Sequence, residues 1–172
     1  MPLTIACIAI CSALPGYGSD STGVLKKNIA YGCVGGKELL GVVGFERIFS
    51  QGKKLKWSAS LGIQPFQLPS KLSVPVAVSA FTKGPLHHLE VDLMATFYMD
   101  KYHPYDGGWK DDFNKQLYIS SFVGYRLQGR GWFMFKAGIG PQLLLDPPSD
   151  YISAFKTKLI PLSGYAAVGI SF

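Results

Sequence analysis

The residue types able to do chemistry are few in this chain, and their spacing does not suit catalysis. There are three histidines, His87, His88 and His103, and three cysteines, Cys7, Cys11 and Cys33. His87 and His88 are neighbours in an alternating segment, so on an extended strand their side chains leave opposite faces and cannot close on one metal ion. His88 and Glu90 lie two apart, share a face and can hydrogen-bond there. Ser and acidic residues are plentiful, but no motif selects a nucleophile for a Ser, His and acid constellation. No Gly-rich phosphate loop, Cys-x-x-Cys pair or dinucleotide fingerprint occurs. The expectation is a non-enzymatic protein without metal or cofactor, with a lipid-modifying barrel enzyme as the one catalytic alternative.

A second concentration of functional side chains is the segment 100–114, DKYHPYDGGWKDDFN, which holds four Asp together with Tyr102, Tyr105 and Trp109. Its acidic order does not match the fixed ligand offsets of a helix–loop–helix calcium site. Tyr and Trp on a loop suit a protein or glycan partner instead, so Tyr102, Tyr105 and Trp109 are the candidate partner-binding residues. The formal charge of +6 comes from scattered Lys and Arg rather than a basic run interleaved with aromatics. That pattern points to anionic lipid headgroups and away from nucleic acid.

The elements that must carry these residues are strands. The chain has 172 residues, 48% hydrophobic and 16% charged, with 20 Gly and 13% aromatic residues. It is too apolar for a disordered tail, yet it contains no apolar run long enough for a spanning helix. Residues 1–19 have an uncharged apolar stretch followed by small and turn residues, and read as an export signal. Residues 20–27 are a short lead-in. Removal of 1–19 leaves Cys33 alone, so no intramolecular disulfide stabilises the exported chain.

From residue 28 to 172 apolar residues recur at every second position. In 86–99, Leu89, Val91, Leu93, Ala95 and Phe97 share one face, and His88, Glu90, Asp92 and Thr96 the other. The pattern predicts eight strands near 29–36, 38–49, 54–64, 71–83, 86–99, 115–128, 131–144 and 161–172. The first is the least regular, since its glycines also suit a bent extension of the second. Connections at 50–53, 84–85 and 129–130 are tight, while those at 65–70, 100–114 and 145–160 are longer. An outer-membrane barrel alternates short periplasmic turns with long outer loops in this way, and only the link at Gly36-Lys37 breaks the pattern, being short where a loop is expected.

Alternation alone does not say which face looks outward. In a membrane barrel the apolar face meets lipid, and Glu46, Lys56, His88, Glu90, Asp92, Arg126 and Lys136 become a polar network in the lumen. In a secreted lipocalin-like barrel the faces invert, and the interior binds an apolar ligand. Aromatic placement favours the membrane barrel, because Phe49, Trp57, Tyr125, Phe133 and Phe172 gather on apolar faces at the tight-turn ends, where a headgroup-level belt would lie.

Residues 28–172 resemble the small outer-membrane β-barrel proteins common in Bacteroidetes. The resemblance rests on Asn28-Ile29-Ala30-Tyr31, Gly35-Gly36, Gly44-Phe45-Glu46-Arg47, with Phe45 where relatives often carry Tyr, His87-His88-Leu89-Glu90 and the closing Gly169-Ile170-Ser171-Phe172. A last strand ending in Phe172 resembles the signal by which such barrels reach their assembly machinery. The resemblance implies an eight-stranded antiparallel up-and-down transmembrane β-barrel in the bacterial outer membrane, partnered by lipid and by that machinery. It implies no catalytic residues.

Overall fold

The computed structural model describes residues 25–35, 39–65, 71–102, 112–145 and 158–172. They form eight strands: β1 Asn28–Gly35, β2 Leu39–Gln51, β3 Leu55–Ile63, β4 Lys71–Thr82, β5 His87–Tyr102, β6 Asp112–Gln128, β7 Phe133–Leu145 and β8 Lys158–Ser171. Each strand pairs antiparallel with the next, and β8 pairs with β1, so the sheet closes into an up-and-down barrel without an edge. The irregular glycine-rich segment is a strand of its own. Ile29 to Gly35 pair on one side with β8 and, through a bulge between Cys33 and Gly35, on the other with β2. Gly35 holds φ at 133°, and a Cβ there would meet Gly164 O at 2.4 Å, so the bulge requires glycine.

Two strands outrun the sequence expectation. β5 and β6 continue pairing to Tyr102 and Asp112, which shortens the expected 100–114 loop to 103–111. Tyr102 is therefore the last residue of a strand rather than part of a loop. The ladder continues because backbone pairing does not depend on the apolar alternation that ends near Met99. Tyr105, Trp109 and residues 1–19 lie outside the described residues. The β7–β8 register shifts between Gly140 and Gln142, where Pro141 has no N–H to donate.

The apolar faces look outward. Leu89 and Leu93 are 67% and 61% exposed, whereas Glu90 and Asp92 between them are 1% and 3% exposed. A lipocalin-like barrel requires the reverse, with Leu89, Val91 and Leu93 inside. The outward apolar stretch runs from Leu89 to Phe97 on β5 and from Leu162 to Ile170 on β8. About ten residues tilted near 40° cover roughly 25 Å, the height of a bilayer's apolar band.

Three tight turns, 52–54, 83–86 and 129–132, lie at one end with the start of β1 and the end of β8; the three longer connections lie at the other, together with the short 36–38 link from β1 to β2. Side chains fill the lumen between these ends. Leu25, Ile29, Ile48, Phe81 and Met134 close the turn end, and Cys33, Val42, Phe122, Tyr165 and Ala167 form a second apolar layer nearer the loops. Glu46, Glu90, Arg126 and Lys136 sit between the two.

Candidate functional site: the charged lumen

The strand register decides which charges meet. Arg126 on β6 stands directly opposite Lys136 on β7, a like-charged cross-strand pair that is unfavourable by itself. Two carboxylates reverse that sign. Glu90, on the neighbouring β5, takes Arg126 in a two-point grip, with Nε to Oε2 at 3.0 Å and Nη2 to Oε1 at 2.6 Å. Glu46 reaches across from β2 on the other side of the barrel. Its Oε1 accepts from Arg126 Nη2, and its Oε2 accepts from Lys136 Nζ at 3.0 Å. Lys136 also lies 3.8 Å from Glu90. Arg126 and Glu46 are fully buried. Only a lumen as narrow as that of eight strands lets side chains from opposite walls touch.

Arg126 has further partners on the side of the turns. Arg126 Nη1 donates to Gln128 Oε1 at 2.9 Å, and Gln128 Nε2 donates to Ser171 Oγ at 3.3 Å. The guanidinium lies over the Phe81 ring, 4.3 Å from its centroid, so the charge cluster rests on the apolar plug below it. Above, Lys136 Nζ lies 5.6 Å from the Tyr31 centroid and 5.7 Å from that of Tyr165. Both rings owe their place to a glycine opposite. A Cβ at Gly44 would sit 2.5 Å from the Tyr31 ring, and one at Gly138 would sit 2.8 Å from Tyr165 Cε1.

Asp92 forms a separate knot at the upper layer, accepting hydrogen bonds from Ser79 Oγ on β4 and from Tyr165 OH on β8. Beside it a cavity of ≈ 30 Å³ is lined by Ser60, Asp92, Met94, Phe122 and Lys136 among others. That is room for one or two waters and no solute.

Of the seven polar residues expected in the lumen, all are buried there, but they do not form one network. Glu46, Glu90, Arg126 and Lys136 make the cluster, and Asp92 belongs to the knot above. His88 does not bond Glu90, contrary to expectation. Its Nδ1 faces Thr82 O at 2.6 Å and its Nε2 faces Gln128 O at 3.0 Å, while its ring meets the edge of Phe81. The reason is geometric: Arg126 already occupies both Glu90 oxygens. Lys56 is buried on the same wall toward the turns, and no ion pair joins it to the cluster.

The expected belt residues Phe49, Trp57, Tyr125, Phe133 and Phe172 all lie on the outward side at the turn end. Trp132 joins them. Strict alternation places it on the lumen face, but it precedes β7 in the turn, is 59% exposed and packs edge-on to Phe133 at 6.0 Å. His87 adds a polar contact at this level, with Nδ1 against Tyr125 OH.

Sequence reasoning missed the supporting residues Tyr31, Ser79, Phe81, Gln128, Tyr165 and Ser171. The usable signal was a Tyr opposite a Gly on the neighbouring strand, which needs the register before it can be read.

In comparisons with known proteins, no family model and no curated protein matches the chain. A solved structure does match in shape: the crystal structure of the N-terminal β-barrel domain of Pseudomonas aeruginosa OprF is similar at a TM-score of 0.52 and 12% identity, over 85% of this chain and 96% of that one. That likeness concerns the fold, which is an eight-stranded outer-membrane-type barrel.

Proposed function

We propose that the protein is a bacterial outer-membrane barrel whose lumen is plugged, with a structural or interaction role carried by its loop end and no catalysis. One observation supports this above the others: the same strands expose Leu89, Val91 and Leu93 while burying Glu90 and Asp92 in a closed lumen braced by Arg126. Water-soluble barrels bury the apolar face, and a bilayer rewards the opposite arrangement. The likeness to the OprF barrel domain supports the membrane-type architecture.

The arrangement does not favour acyl transfer. Ser79 and Asp92 are hydrogen-bonded, but His88 is turned to two backbone carbonyls. Kinship with the Bacteroidetes barrels rests on short stretches such as Gly44-Phe45-Glu46-Arg47, and binding of an outside protein or glycan rests on Tyr102, Tyr105 and Trp109. Delivery to the assembly machinery through β8 rests on its outward row of Leu162, Val168, Ile170 and Phe172.

The test is fractionation of expressing cells followed by electrophoresis with and without boiling. The proposal expects the chain in the outer membrane and a mobility shift on heating, as the closed barrel opens. A freely soluble monomer contradicts it. Deletion of Phe172 is expected to lower the assembled fraction more than deletion of one residue from 146–157, and equal effects count against the role of β8.

A further inference from the structure

The two ends of the barrel differ in charge. At the turn end Lys26 and Lys27 lead into β1, Lys53 and Lys54 occupy the β2–β3 turn, Lys83 the β4–β5 turn and Arg130 the β6–β7 turn, and all six are exposed. Every connection around this rim thus carries a cation. No carboxylate side chain among the described residues answers them. Glu46, Glu90 and Asp92 face the lumen, and Asp100 and Asp112 stand on the strand ends of the opposite, loop end. Three lumen cations, Lys56, Arg126 and Lys136, balance the three lumen acids. By sequence, the segments joining strands at the loop end, taken with the strand ends that border them, hold seven Lys and seven acidic residues. With Arg47 on the outer wall and Asp20 in the lead-in cancelling in sign, the six rim cations equal the formal charge of +6.

Just inside the rim lies the outward aromatic girdle of Phe49, Trp57, Tyr125, Trp132 and Phe172, and inside that the apolar band. Amphipathic rings settle at the level of the lipid glycerols and carbonyls, so cations one turn beyond them stand at the level of the phosphates. We infer that the turn-end rim is a docking collar for anionic phospholipid headgroups, which holds lipids of net negative charge around the barrel in preference to zwitterionic ones. The inference rests on the membrane reading above. Its occupant is chosen by charge complementarity and by the unbroken run from apolar band to girdle to cations. An acidic soluble polymer would use the cations but not the girdle.

The full chain is reconstituted in vesicles of phosphatidylcholine with one-quarter phosphatidylglycerol, extracted in mild detergent, and its retained lipids are counted by native mass spectrometry. The wild type is compared with K53Q/K54Q/K83Q/R130Q and with the charge-conserving K53R/K54R/K83R/R130K, each checked for folding by its heat-dependent mobility. Wild type and the charge-conserving variant are expected to retain phosphatidylglycerol over phosphatidylcholine roughly tenfold beyond the vesicle ratio, and the neutral variant close to that ratio. High salt is expected to erase the preference, since exposed charges are screened. Retention at the vesicle ratio by a correctly folded wild type overturns the collar while leaving the membrane reading intact. Failure of all three chains to enter vesicles overturns both. If the neutral variant keeps its phosphatidylglycerol preference but loses binding to isolated cell-wall sacculi, the collar serves an acidic polymer and the inference falls.

Discussion

The lumen and the outer wall are built from the same eight strands, one residue out of phase, and they obey opposite rules. Outside, Leu61, Leu93, Val123 and Ile139 are each exposed and meet their neighbours only by apolar contact. Inside, Arg126 is held at once by Glu46, Glu90, Gln128 and the Phe81 ring. The outer face needs only to be apolar, whereas the lumen needs particular partners at particular heights. Substitutions should therefore be tolerated by kind outside and by position inside.

The sharpest way to break this contrast is to remove the lumen hub. Arg126→Ala leaves Glu46 and Glu90 buried without their shared cation and is expected to cost about 3–5 kcal/mol, read from urea unfolding of the barrel in lipid vesicles. Replacing the hub and one acid together, Arg126→Met with Glu90→Gln, should cost less than the single change, because the Lys136–Glu46 pair at 3.0 Å remains and no buried charge is left unpaired. If the double variant is the worse, the cluster braces the barrel by more than charge balance.

On the outer wall Leu93→Arg puts a charge near the middle of the apolar band and should cost about 2–4 kcal/mol, while Leu93→Ile should cost almost nothing. Smaller again is Tyr165→Phe, which leaves Asp92 with Ser79 as its remaining hydroxyl donor and is expected to cost about 1–3 kcal/mol. At the bottom of the scale, Lys83→Gln on the exposed rim should change stability by less than about 0.5 kcal/mol. A large effect there would show that the rim cations brace the fold itself.

The outer wall was the more readable of the two from sequence, for the same reason. Alternation through Leu89, Val91 and Leu93 names a face without any knowledge of pairing, and tight turns at glycines divide the strands. The lumen residues were readable as a set but not as partners. Glu46 and Arg126 are 80 positions apart, and nothing local joins them until closure of β8 on β1 brings opposite walls within reach. His88 and Glu90 looked like partners because they are close in sequence, yet Arg126 from the next strand outcompetes His88 for the carboxylate. Strand length was similarly hidden at Tyr102, where hydrogen bonding outlasts the apolar pattern, and at Trp132, where a turn takes the residue out of the alternation.

The central claim is that the apolar faces meet lipid, and a nitroxide spin label tests it most directly. With Cys7, Cys11 and Cys33 changed to Ala, labels at Leu93→Cys and, as a lumen control, Ser79→Cys are compared in vesicles by their collision with oxygen, which partitions into bilayers, and with a water-soluble nickel chelate. The account predicts that the Leu93→Cys label collides freely with oxygen and is shielded from nickel, while the Ser79→Cys label is sheltered from both. Strong nickel collision at the Leu93→Cys position would show that this face meets water and would contradict the account.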